Sequence, residues 1–115
     1  MAVTIYHNPR CSKSRQTLAL LQDKGIEPEV VEYLKDTPDA DTLEALLMKL
    51  DLEPRELMRR KEAPYKARNL ADQSLSRAKL IEAMVADPIL IERPIVVSGD
   101  KVALGRPPEA VLEVL

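Results

Sequence analysis

The sequence predicts a mixed α/β fold in two halves with a helical block between them. Three observations carry that reading. A strand-like run, a helix-like run and a second strand-like run open the chain; apolar residues at helical spacing fill its middle; and two short β runs and a final helical run close it. Val3–Tyr6 is β-branched and aromatic and stops at Asn8-Pro9. From about Lys13 a helix is expected, with Leu18 and Leu21 on one face and Gly25 as its stop signal. Glu29–Leu34, reading EVVEYL, is the second strand. Two strands flanking a helix predict a βαβ unit with parallel strands.

In the middle, Leu43, Leu46, Leu47 and Leu50 recur at i, i+3, i+4 and i+7, a helix face that Asp39 or Asp41 is placed to cap. Pro54 suits the first turn of a short helix ending near Arg59-Arg60. Leu80, Ile81, Met84 and Val85 mark another helix, closed by Asp87-Pro88. The block so defined runs over about 39–87. Beyond it, Ile95-Val96-Val97 and Val102-Ala103-Leu104 flank Ser98-Gly99-Asp100-Lys101, which reads as a tight hairpin. Pro107-Pro108 then opens a helix carrying Val111, Leu112 and Leu115. A βαβ half followed by a ββα half is the layout of thioredoxin-like domains, here as a single domain over 1–115 with a helical insertion and a mixed four-stranded sheet.

The totals narrow the function classes. With 115 residues, 45% of them apolar and 31% charged, the chain has the composition of one folded domain. It has no Trp and no Phe, so the core must be aliphatic. A net charge of −2 argues against a generic nucleic-acid binder. No apolar run approaches the ~20 residues that span a bilayer, and MAVTIYHNPR is too short and polar for a secretion signal. One cysteine cannot form an internal disulfide. A cytoplasmic protein with no membrane or nucleic-acid partner is the expectation.

That cysteine, Cys11, stands where the first strand hands over to the first helix, inside HNPRCSKSR. A lone cysteine is commonly a small buried apolar residue. This one has no apolar neighbour and lies among Arg10, Lys13 and Arg15. Its position favours a thiolate, because the first N–H groups of a helix lack intrahelical partners and the helix dipole adds about half a positive charge. Ser14, three residues on, is expected to donate its hydroxyl hydrogen to the sulfur. Both effects lower a thiol pKa from about 8.5. The C-x-x-S spacing has no second cysteine, so any disulfide needs an outside thiol. A phosphatase loop would need arginine where Thr17 stands, and a zinc site needs more ligands than one Cys and one His; no metal is expected.

Three arginines outside the loop are candidates for an oxyanion: Arg59 in RELMRRK, Arg93 before Pro94, and Arg106 before Pro107. In a thioredoxin-like layout the pair before the third strand lies beside the cysteine, with its proline commonly cis, which puts Arg93 over the sulfur. A guanidinium fork suits a tetrahedral oxyanion. His7 has two readings of equal weight, a group that orients the loop or tunes the thiolate and a residue that merely ends the strand. Arg60 is expected to face solvent.

The stretches IYHNPRCSKSRQTL, ELMRRKEAPY, PILIERPIVV and GRPPEAVLEVL together resemble the glutaredoxin-dependent arsenate reductases and their close paralogues, across essentially the whole chain. The resemblance implies a thioredoxin-like fold with a helical insertion, Cys11 as nucleophile, Arg59, Arg93 and Arg106 as oxyanion-binding residues, His7 and Ser14 as supports of the cysteine, and Pro94 as a cis-proline. It implies arsenate as substrate, no bound cofactor, glutathione as co-substrate and glutaredoxin as partner. Members often carry a small residue and a glycine beside the cysteine, where this chain has Arg10 and Ser12. A second reading of the same resemblance is a redox-linked regulatory or binding protein without arsenate turnover.

Overall fold

The computed structural model describes residues 2–115. They form two compact units, one comprising the chain up to Asp36 together with Arg93–Leu115, the other Thr37–Glu92. The expected helical segment of about 39–87 falls within the second unit, which extends beyond it at both ends.

The first unit is built on a four-stranded sheet. Strands β1 (Val3–His7) and β2 (Glu29–Glu32) are parallel, joined through helix α1 (Ser12–Asp23). Strand β3 (Ile95–Ser98) lies antiparallel to β1 on its other side, and β4 (Lys101–Leu104) antiparallel to β3, giving the order β2-β1-β3-β4. Ile5 stands opposite Val30 on one side and Val96 on the other. The β3–β4 connection is the tight turn expected, with Gly99 at a φ of 62° where a side chain would be strained. β2 is shorter than the sequence suggests: the chain turns back after Glu32, whose carbonyl accepts the Lys35 and Asp36 N–H groups.

Helix α1 ends as Gly25 predicts. The Gly25 N–H donates to the Gln22 carbonyl and the Ile26 N–H to that of Leu21, and Gly25 has a φ of 76°. Ile5, Leu21, Val96 and Val111 form the fully buried centre of this unit, with Val3, Leu18, Leu20, Ile26, Ala103 and Val114 packed around it. Each of the four fully buried side chains contributes about 1.5–3 kcal/mol on burial. The closing segment, Pro108–Val114, is a 3-10 helix rather than the α-helix expected. Of its three marked residues only Val111 is buried; Leu112 and Leu115 are exposed. Pro108 is buried with Val111, and Val114 packs against the same cluster.

In the second unit, helix α2 (Ala40–Leu50) is capped by Asp39, which accepts the Thr42 N–H at 2.8 Å. Leu43, Leu46 and Leu47 are buried as their spacing predicts, while Leu50 is half-buried. Pro54 does open a helical turn, but it is a single 3-10 turn over Pro54–Leu57 and stops short of Arg59-Arg60. Glu53 and Glu56 form a capping box that closes the turn on itself, and Met58 is extended and bridges to Ile91. Helix α3 (Ala63–Ala67) has no signal in the apolar spacing, since none of its residues is buried. Helix α4 (Arg77–Ala86) buries Leu80, Ile81, Ala83 and Met84. No helix among the described residues is long and apolar enough to cross a membrane.

Candidate active site

Cys11 is the N-cap residue of α1, extended in backbone and partly exposed. The preceding loop is held from within. The Cys11 N–H donates to the Asn8 carbonyl and the Arg10 N–H to Asn8 Oδ1, both at 3.0 Å. Asn8 is itself buried. Because Cys11 is the cap, the open N–H groups of the first turn face its sulfur. Burial by itself pushes the thiol up. The Ser14 N–H, the Arg93 guanidinium (as hydrogen-bond donor and as charge) and the Lys13 N–H together outweigh it, and the thiol lies below its ordinary range.

Ser14 acts differently from the expectation. Its hydroxyl does not serve the sulfur: Oγ accepts the Asn8 N–H at 3.0 Å and lies 2.6 Å from His7 Nδ1. Ser14 is completely buried, so its side chain pins the loop while its backbone N–H reaches the thiolate. Of the two readings of His7, the geometry supports the loop-orienting one. Burial lowers its pKa first of all; the Glu32 charge opposes this and the Arg15 charge adds to it.

Two of the three arginines come to the cysteine. Arg93 is buried and hydrogen bonds to the sulfur, and the Arg93-Pro94 bond is cis, as expected. Arg106 Nη2 lies 3.7 Å from Cys11 Sγ. The Arg106-Pro107 bond is also cis, which the sequence reading did not anticipate. Arg59 belongs to the second unit, where Nε pairs with Glu62 at 3.3 Å and Nη1 with Glu92 at 3.0 Å. Burial alone would lower its pKa; Glu92 and Glu62 raise it, so it is a fixed cation. Arg60 is exposed, as expected.

Three positions escaped the sequence reading. Asn8 reads in the sequence only as a strand stop, although an Asn-Pro pair just before a cysteine is a turn signal with hydrogen-bonding capacity of its own. Thr17 is wholly buried and returns its hydroxyl to the Lys13 carbonyl at 2.8 Å. Gly105 donates its N–H to the Pro94 carbonyl at 2.8 Å, and a Cβ there would stand 2.7 Å from both Pro94 Cγ and Thr17 Oγ1. Only a residue without a side chain lets the chain just after β4 come this close to Pro94 and Thr17.

A single partly exposed thiol, lowered in pKa at a helix start and faced by two guanidinium groups on a βαβ–ββα sheet, defines a thioredoxin-like protein equipped for thiol chemistry on an anion. The family model of the ArsC family matches residues 6–114, and the chain belongs to that family. It is 50% identical to an arsenate reductase of Haemophilus influenzae over the full length of both chains. It is 60% identical to the uncharacterized protein YfgD of Escherichia coli (strain K12), covering 98% of this chain and 96% of that one. Among solved structures, an arsenate reductase from Vibrio cholerae superposes with a TM-score of 0.97 at 53% identity, covering 100% of this chain and 98% of that one.

Proposed function

We propose that this protein is an arsenate reductase in which Cys11 forms the covalent adduct with arsenic, glutathione supplies reducing power and glutaredoxin completes the cycle. The observation that carries the reading is the convergence of Arg93 and Arg106 on a thiol of lowered pKa. The relatives named arsenate reductase over the whole chain supply the oxyanion.

The Cys11 thiolate attacks pentavalent arsenic; a sulfur–arsenic bond forms and an arsenic–oxygen bond breaks, the oxygen leaving as water after it takes a proton. Arg93 and Arg106 offset the negative charge that would otherwise keep thiolate and arsenate apart, and their planar donors match the oxyanion's edges. The glutathione thiolate then attacks the Cys11 sulfur of the adduct: a sulfur–sulfur bond forms, the sulfur–arsenic bond breaks with its electron pair passing to arsenic, trivalent arsenite leaves, and a mixed disulfide between Cys11 and glutathione remains. Glutaredoxin reduces that disulfide and restores the thiolate. With one cysteine in the chain, the second thiol has to be external. Arg59 is assigned as a third oxyanion ligand on the motif ELMRRK alone. Such chemistry needs a thiol-reducing compartment, and the cytoplasm is the one proposed.

The test is arsenate turnover with glutathione, with and without glutaredoxin. Wild-type protein should turn over and need glutaredoxin for multiple cycles, and a folded Cys11→Ser variant should be inactive. Absence of turnover above background would transfer the site to the other reading, a redox-linked binding or regulatory protein.

A further inference from the structure

Immediately before Cys11 the loop borders a cleft of about 410 Å³, lined by His7, Asn8, Pro9, Arg10, Glu32, Leu34 and Lys35, all within the first unit. We infer that this cleft is the seat of the thiol co-substrate, a zwitterionic γ-glutamyl tripeptide of the glutathione type, an assignment that rests on the function proposed above. The volume is at the lower end of the range for small-molecule sites, about 300–1,000 Å³, which suits a tripeptide rather than a bare oxyanion.

The charges on the walls are the stronger argument. Arg10 and Lys35 are cations, and Glu32 is an anion. Glutathione presents the complement: two carboxylates, one at each end, and one ammonium. Lys35 and Glu32 meet only at 3.9 Å, with Lys35 largely in solvent and Glu32 about half so, and that pair holds its partners weakly and leaves both open to a ligand. Pro9 and the exposed Leu34 give the tripeptide apolar surface between the charged ends. Position follows from covalent geometry. Arg10 precedes Cys11, whose Cα is therefore about 3.8 Å along the chain from that of Arg10. The hydrogen bonds of Asn8 to the Arg10 and Cys11 N–H groups keep cleft and cysteine in register. A thiol carried on the middle residue of a tripeptide anchored at both ends is thereby presented next to the Cys11 sulfur, where the arsenic adduct is attacked and the mixed disulfide forms.

The experiment isolates this site from arsenate chemistry. The Cys11 thiolate is reacted with oxidised glutathione, whose disulfide breaks to give the Cys11–glutathione disulfide and one glutathione thiolate, and separately with hydroxyethyl disulfide, which is uncharged. The ratio of the two rates cancels any change in the thiolate itself. The double variant Arg10→Ala/Lys35→Ala, at two exposed positions, should lower that ratio about five- to tenfold, and Arg10→Glu/Lys35→Glu should lower it further. An unchanged ratio, or equal slowing with both disulfides, overturns the assignment. Failure of arsenate turnover with a ratio that still falls would instead count against the proposed reaction alone.

Discussion

Arg106 Nε donates to the Arg93 carbonyl at 2.8 Å. The two arginines that reach Cys11 are therefore tied to each other, side chain to main chain, across the base of the hairpin at a sequence separation of thirteen. Arg93 arrives buried, just before β3; Arg106 arrives more exposed, just after β4. Arg106 is held through Nε by the main chain, with Nη2 3.7 Å from the Cys11 sulfur. One guanidinium is thus a built-in counter-charge, and the other is the more open to incoming substrate.

The first prediction concerns the thiolate. The rate of Cys11 alkylation by iodoacetamide should rise with pH through a midpoint below the ordinary thiol value of about 8.5. Arg93→Ala should move that midpoint up, since Arg93 lowers the pKa both by hydrogen bond and by charge. The linkage sign follows: a depressed thiol pKa stabilises the fold fully above the unfolded thiol pKa, and the contribution is lost as pH falls through the folded value. A midpoint at or above 8.5 would show an ordinary thiol.

Oxyanion binding separates Arg93 from its surface counterpart. Arg93→Ala should weaken arsenate saturation about tenfold or more, the scale of one lost hydrogen bond to a charged group. Arg60→Ala, at an exposed side chain whose guanidinium meets the Arg55 carbonyl at 3.4 Å, should have a much smaller effect. Steady-state kinetics at varied arsenate decides it; equal effects would mean that the oxyanion does not meet Arg93.

Ser14→Ala removes the acceptor of the buried Asn8 N–H and the partner of His7 Nδ1. A loss of about 1–3 kcal/mol in urea unfolding is expected for groups left unsatisfied in the interior. His7 adds a pH dependence. Its folded pKa is lowered, so the unfolded chain binds the proton more readily, and stability should fall as pH drops below the unfolded value of about 6.5 toward the folded one. A flat stability profile across that window in wild type would contradict the burial of a neutral ring.

Gly105→Ala tests the approach of the hairpin to the site. The added methyl would sit 2.7 Å from Pro94 Cγ and from Thr17 Oγ1, and both Pro94 and Thr17 are buried. Overpacking of this kind costs about 1–3 kcal/mol. The shift should reach Arg93, so alkylation of Cys11 should lose part of its low-pH reactivity along with the loss in thermal stability. Unchanged melting and unchanged alkylation together would show that the neighbours give way freely.

Local pattern carried much of the architecture. The β-branched runs marked the strands of the sheet, the leucine spacing in α2 marked its buried face, and Gly25 marked the stop that follows α1. These signals are legible because each acts over one turn or one strand. The limits of the Pro54 turn were not, because Met58 leaves the helix to bridge Ile91, thirty-three residues away. Nor was the 3-10 character of the closing segment, which depends on which side chain the sheet accepts.

The sequence by itself determined the order of elements, the place of Cys11 at a helix start, and therefore a thiol facing open N–H groups. Those follow from chain neighbours and the directionality of the backbone. Only the tertiary structure decided that the Ser14 hydroxyl turns to His7 and Asn8 rather than to sulfur, that Gly105 is the gap through which the hairpin reaches Pro94, and that Arg106 is held by Arg93. Each depends on atoms brought together by packing, where a buried polar group takes the partner that burial leaves within reach, and sequence separation carries no trace of that choice.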